Sequence, residues 1–190
     1  GYPGLPNRGN PYGGPYGVSW KIHDDTFRKE ISTGSLTRSS IHHNFFGVYT
    51  FGATGAVFSH NNVFDNVEYG IDPHDDSNNL LIEDNQVFRN GNHGIIASKR
   101  CFSNIIRGNS SHDNRLHGIM LDRDSDNNLV ADNYLSGNVN GIALYHSSEN
   151  VIVNNSFTKN QFGIRANNFS KGNYFGYNAI DSSQKGVFLY

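Results

Sequence analysis

The stretch YGIDPHDDS, Tyr69 to Ser77, gathers a phenol, a carboxylate and an imidazole at positions 69, 72 and 74. These are the side chains of general acid–base chemistry. Imidazole titrates near neutral pH and is the group best poised to take a weakly acidic proton, and a phenol or a water it positions can return one. Between them sits Pro73, which removes a backbone donor and is disfavoured in a central strand. Such a run needs a reason, and the rest of the chain must say what holds it in place.

A repeat supplies the frame. Glycine followed by an aliphatic residue recurs at 47, 70, 94, 118, 141, 163 and 186, in steps of 22 to 24. Two asparagine columns run in phase: Asn61, Asn85, Asn109, Asn133, Asn155 and Asn178, and Asn44, Asn66, Asn90, Asn114, Asn138 and Asn160. Leucine-rich repeats share the period but would fix leucines at several positions. Short β-prone runs punctuated by Asn and Gly instead predict an all-β, right-handed parallel β-helix of about seven coils, with the asparagines stacked as hydrogen-bonded ladders. The solenoid is expected over 37–190. Residues 1–36, rich in Gly, Pro and Tyr without a period, are expected to form an irregular arm. The last repeat stops at GVFLY without a polar cap, so a partner or a missing segment is expected to cover it.

Alternation then decides which side chains face out. With Ile71 and Pro73 inward, Tyr69, Asp72 and His74 point outward, and neighbouring coils lie about 4.8 Å away. Tyr69, His93 and His117 should stack, as should His74, Ser98 and Asp122. Lys99, Arg100, Arg115 and Arg123 crowd the adjacent turns, with Tyr145 and Arg165 further along the same face. A groove with titratable groups at its centre and cations beside them suits an extended chain that carries carboxylates.

Composition limits the other classes. The net charge is −2 with 17% charged residues, so bulk binding to nucleic acid or a membrane surface is not indicated. Cys101 is the single cysteine, excluding an internal disulfide and a cysteine-rich zinc site. No run of 18 apolar residues occurs. The chain starts at Gly1 with no charged leader, and any signal peptide is expected to be gone already or never included.

At YGIDPHDDSNNLLIEDN, HGIIASK, HGIMLDRDSDNNLVADN and NGIALYHSSENVIVNN the sequence closely resembles the mannuronan C-5 epimerases of alginate-producing bacteria, over roughly Ser39 to the end. The resemblance implies a secreted or periplasmic β-helical enzyme acting on an anionic polysaccharide, alginate or polymannuronate. His74 and Tyr69 would be its proton-transfer pair and Asp72 a supporting carboxylate that orients His74 or Tyr69. The family's arginine that neutralises the substrate carboxylate aligns here with Lys99, next to Arg100. His93, His117, Asp122 and Tyr145 would line neighbouring positions, and Arg115, Arg123 and Arg165 would contact further uronates. No cofactor or metal is implied; a calcium requirement is not indicated, and the calcium-binding modules of secreted members are absent from this sequence. A lyase that cleaves alginate by β-elimination through the same intermediate is the alternative, and a non-catalytic polysaccharide-binding solenoid is a second.

Overall fold

A computed structural model describes residues 15–22, 32–167, 169–181 and 183–190. All regular elements among them are strands, and each pairs in parallel with the equivalent strand of the next coil. Three sheets result, of eight, seven and seven strands. One coil runs through Ile71–His74, Leu81–Glu83 and Gln86–Phe88, then steps onto Ile95–Ser98. This is the parallel β-helix of about seven coils expected from the repeat.

The inward positions form continuous apolar columns. Val48, Ile71, Ile95, Ile119, Ile142 and Ile164 lie over one another, each at most 1% exposed. A fully buried aliphatic side chain of this size contributes about 1.5–3 kcal/mol. The glycine ahead of each is required by space: a Cβ on Gly70 would lie 2.6 Å from both the Gly94 carbonyl and Val87. Only a bare backbone lets the turn close against the coil below.

Buried amides hold the corners. Asn85 donates through its side chain to Asn109 Oδ1 at 2.9 Å and to the Phe58 carbonyl at 2.9 Å, while its backbone N–H donates to Asn109 Oδ1 at 3.0 Å. Asn109 repeats the pattern on Asn133 and Ile82. A third ladder, Asn104, Asn128, Asn150 and Asn173, was not expected. Leu80 occupies its first place, donating from its backbone to Asn104, and so hides the column in the sequence. The lone cysteine has a similar explanation. Cys101 occupies the coil position that Ser77 and Ser125 hold one coil either side, and its thiol contacts the Ser98 carbonyl as their hydroxyls contact those of His74 and Asp122.

The expected irregular arm needs correction. Tyr16–Lys21, inside it, form a strand paired with Phe46–Phe51, and Ser35–Thr37 open the second sheet. The alternating Tyr-Gly-Val-Ser-Trp-Lys run has a period of two, overlooked among its glycines. The remainder of that arm, 1–14 and 23–31, lies outside the described residues. At the other end Val187, Leu189 and Tyr190 are exposed on the last coil.

Candidate functional site

The outward columns of the eight-stranded sheet meet as the alternation predicts. Phe51, His74, Ser98, Asp122, Tyr145 and Asn167 occupy one register, and Tyr49 pairs with Asp72 in the next column. Pro73 breaks the backbone ladder locally: Ile71–His74 is registered with the following strand only at Ile71 with Ile95 and His74 with Ser98. A residue without an N–H cannot extend that pairing.

An aromatic stack flanks the floor. Tyr69 lies 5.2 Å from His93 with planes 14° apart, and His93 lies 4.6 Å from His117 at 22°. Phe46 closes the stack on the other side of Tyr69 at 5.3 Å. The His117 Nδ1 meets the Asn140 side-chain amide at 2.8 Å. Burial drives the His93 pKa down to about 3, with His117 adding to it, and that of His117 to about 4. Both rings are therefore neutral at pH 7.

His74 packs against the Tyr49 ring at 5.6 Å, and its Nδ1 lies 2.5 Å from Asp75. Burial lowers its pKa and the Asp75 carboxylate opposes the shift, so at neutral pH the imidazole is uncharged and able to accept a proton. Tyr69 moves the other way. Burial, then the charge of Asp72, pushes its pKa up to about 12, which keeps the phenol protonated and able to donate. Acid and base are thus set apart within one coil, Tyr69 just ahead of the strand Ile71–His74 and His74 at its end, on either side of Asp72.

Asp72 departs from expectation. It is 1% exposed and neither carboxylate oxygen has a hydrogen-bond partner, so it orients neither His74 nor Tyr69. Burial raises its pKa well above the carboxylate range, with Arg123 the largest opposing influence. The carboxylate that touches His74 is Asp75, for which no role was expected.

The cations also sort themselves. Lys99 Nζ lies 3.6 Å from Asp75 and shares that carboxylate with His74. Arg100 lies nearby but is committed: Nε and Nη2 grip the two oxygens of Asp76 at 2.9 and 2.7 Å, and Nη2 also reaches Asp75. Arg123, expected at a further subsite, folds back over the centre, with Nε on Asp122 at 2.6 Å and Nη2 on the Ser98 hydroxyl at 2.6 Å. The spacing of 24 that stacks the histidines also sets Lys99 over Asp75 and Arg100 over Asp76, so these pairs were legible in principle. Arg115 is exposed on the turn ahead of His117, Tyr145 is exposed beside Asp122, and Arg165 lies further along, over the Phe162 and Tyr190 rings.

Comparison with known proteins bears on the family and the fold. The family described as periplasmic copper-binding protein (NosD) matches residues 22–188. A mannuronan C5-epimerase of Pseudomonas fluorescens is 39% identical over 74 residues, 37% of this chain and 14% of that protein. The periplasmic alginate epimerase AlgG superposes on 92% of this chain and 54% of its own with a TM-score of 0.72 and 26% identity. The A-module of the Azotobacter vinelandii mannuronan C-5 epimerase AlgE6 shares the fold, at a TM-score of 0.70 and 18% identity. The chain thus spans about half the length of the solved relatives and a smaller part of the curated ones. Family and solved neighbour alike are periplasmic, in line with the expected secreted or periplasmic location. Matched over nearly its whole length and built from the same stacked coils, the chain belongs to the NosD family and is a relative of the mannuronan C-5 epimerases.

Proposed function

We propose that this solenoid catalyses C-5 epimerisation of β-D-mannuronate to α-L-guluronate residues within an alginate chain. The observation that carries the reading is the opposed tuning of two side chains of one coil: a neutral imidazole at His74 and a protonated phenol at Tyr69, on a groove rimmed by cations. A uronate C-5 hydrogen is weakly acidic, and its removal is feasible only when positive charge offsets the carboxylate and the enediolate that forms. His74 takes the C-5 proton; the bonding pair moves into the C-5 to C-6 bond. Tyr69, or a water it holds, delivers a proton to the opposite face. Asp75 holds the imidazole and stabilises its charged form, while the stacked, neutral His93 and His117 provide a surface for the next sugar without adding charge. The last coil, with Val187 and Leu189 exposed, is where a covering partner or segment would sit.

The family description names copper, and the donor set here does not suit it. The His93 and His117 rings are stacked nearly parallel, so their in-plane lone pairs run side by side and cannot converge. The Cys101 thiol is buried, faces backbone carbonyls, and its pKa is pushed up by that burial. No three His, Cys, Asp or Glu gather among the described residues. The proposed reaction therefore uses this chain's own side chains.

Incubation with polymannuronate in D2O, followed by proton NMR, tests the reading. Deuterium at C-5 in a polymer of unchanged length supports it. Falling chain length with the ultraviolet absorbance of an unsaturated uronate would mean the lyase exit, in which the protonated Tyr69 assists departure of the O-4 substituent. His74→Gln should lower exchange by roughly 100-fold to 10,000-fold; a variant that binds and processes oligouronates like the parent would mean a binding module instead.

A further inference from the structure

Lys99 and Arg100 hold the place where the carboxylate-neutralising cation was expected, yet the structure has already spent the fork of Arg100. A guanidinium recognises a carboxylate through two parallel N–H groups. In Arg100 that edge is closed on Asp76, and its remaining contact is to Asp75. Those acidic residues sit directly beneath it in the previous coil, so the pair staples two turns together. Lys99, a point charge, is engaged with the same Asp75 that contacts His74.

Arg123 is placed differently. Its backbone is left-handed after the groove strand His117–Asp122, as are those of Lys99 and Arg100, and what sets it apart is that its side chain returns one coil to Ser98. Ser98 is the register partner of His74. Only Nε meets a carboxylate, that of Asp122; Nη2 rests on a neutral hydroxyl, which a ligand carboxylate displaces readily. The side chain is 47% exposed, so it is open to a ligand. Beside it lies the orphaned carboxyl of Asp72, completely buried and unpartnered on the groove side of the sheet, a polar group whose partner must come from outside the fold.

We propose that Arg123, presented by Ser98 and Asp122, is the residue that binds the carboxylate of the reacting uronate and stabilises its enediolate, one coil beyond the position at which the resemblance placed this role. The inference rests on the epimerase reading. When His74 breaks the C-5 to hydrogen bond, the electron pair delocalises into the carboxylate, whose second unit of negative charge lies against the guanidinium. Protonation from the opposite face restores the carboxylate and leaves Arg123 unchanged. Asp122 and Ser98 act as positioning residues: they fix the fork without reaching the sugar.

The test is C-5 deuterium incorporation into polymannuronate by the parent protein, Arg123→Ala, Arg123→Lys and Arg100→Ala, with kcat and KM separated and each variant's Tm recorded. Arg123→Ala should lose roughly 100-fold to 1,000-fold in kcat, the effect of removing one preorganised donor to a developing anion, at an unchanged Tm. Arg123→Lys should recover part of that loss, and added methylguanidinium should restore rate to Arg123→Ala but not to His74→Gln. Asp122→Asn should lower kcat less than Arg123→Ala and still respond to nothing added. If the parent exchanges and Arg123→Ala matches it within about twofold, or if Arg100→Ala alone abolishes exchange, Arg123 does not hold the carboxylate. A parent that exchanges no C-5 hydrogen removes the epimerase reading and this assignment with it, and is told apart from the other failures by the parent's own spectrum.

Discussion

Two sets of buried polar side chains run along the same solenoid, and they are served in opposite ways. In the corner ladders every coil completes the one before: Asn109 accepts from Asn85 twice and donates to Asn133 and to the Ile82 carbonyl. On the groove, Asp72 has two oxygens without partners, and His93 Nδ1, Asn140 Oδ1 and Arg165 Nε are likewise unpaired. A buried polar atom left unpaired costs about 1–3 kcal/mol. The fold satisfies such atoms at its corners, and apart from Asn92 Oδ1 and Ser183 Oγ the unpaired ones gather on the face where we propose that substrate binds.

The contrast can be broken from the ladder side first. Asn109→Ala removes four hydrogen bonds and strands the amide of Asn85. Stability should fall by about 3 kcal/mol, at about 1 kcal/mol per bond with some relaxation, seen as a lower urea midpoint. Activity per folded molecule should hold, because the ladder is remote from His74. Acidification acts on the groove through its two buried, neutral histidines. Unfolded histidine titrates near 6.5, whereas folded His93 and His117 do so at about 3 and about 4. Between those values the unfolded chain binds more protons, so stability is complete above about pH 6.5 and declines as the pH drops toward 4. His93→Phe keeps a ring in the stack and should flatten that decline in Tm measured across pH; the amide ladders do not titrate and contribute no slope.

Asp72→Val sharpens the comparison by reversing the usual sign. The apolar side chain, opposite Tyr49, ends the burial of two unpartnered oxygens, so stability should rise by about 1 kcal/mol while C-5 exchange falls. A fall in both would mean that Asp72 is satisfied after all. The smallest effect belongs to neither region. Arg107, whose fork grips Glu83 at 3.0 and 2.8 Å on an exposed wall, should cost less than about 1 kcal/mol when changed to Ala and leave exchange untouched.

Much of this was legible because a coil of about 23 residues turns sequence spacing into adjacency. The columns of Tyr69 with His93 and His117, and of His74 with Ser98 and Asp122, follow from counting alone. What counting could not give is direction. Asp72 and Asp75 both lie near His74 in sequence, but only the left-handed turn at Asp75, φ 37°, brings that carboxylate to the imidazole. Arg100 and Arg123 follow the same kind of strand, and which of them faces the groove depends on what each meets in the coil before, Asp76 for one and Ser98 for the other. The strand at Tyr16–Lys21 was missed because glycine and tyrosine content outweighed its alternation.

A crystal structure with a mannuronate oligomer bound tests the central claim most directly. The account predicts the sugars running across the coils of the eight-stranded sheet, with one C-5 hydrogen within about 3 Å of the His74 imidazole and that residue's carboxylate at Arg123 beside Asp72. An oligomer lying along another wall, or one crossing the groove with His74 still shielded from every C-5, would contradict it.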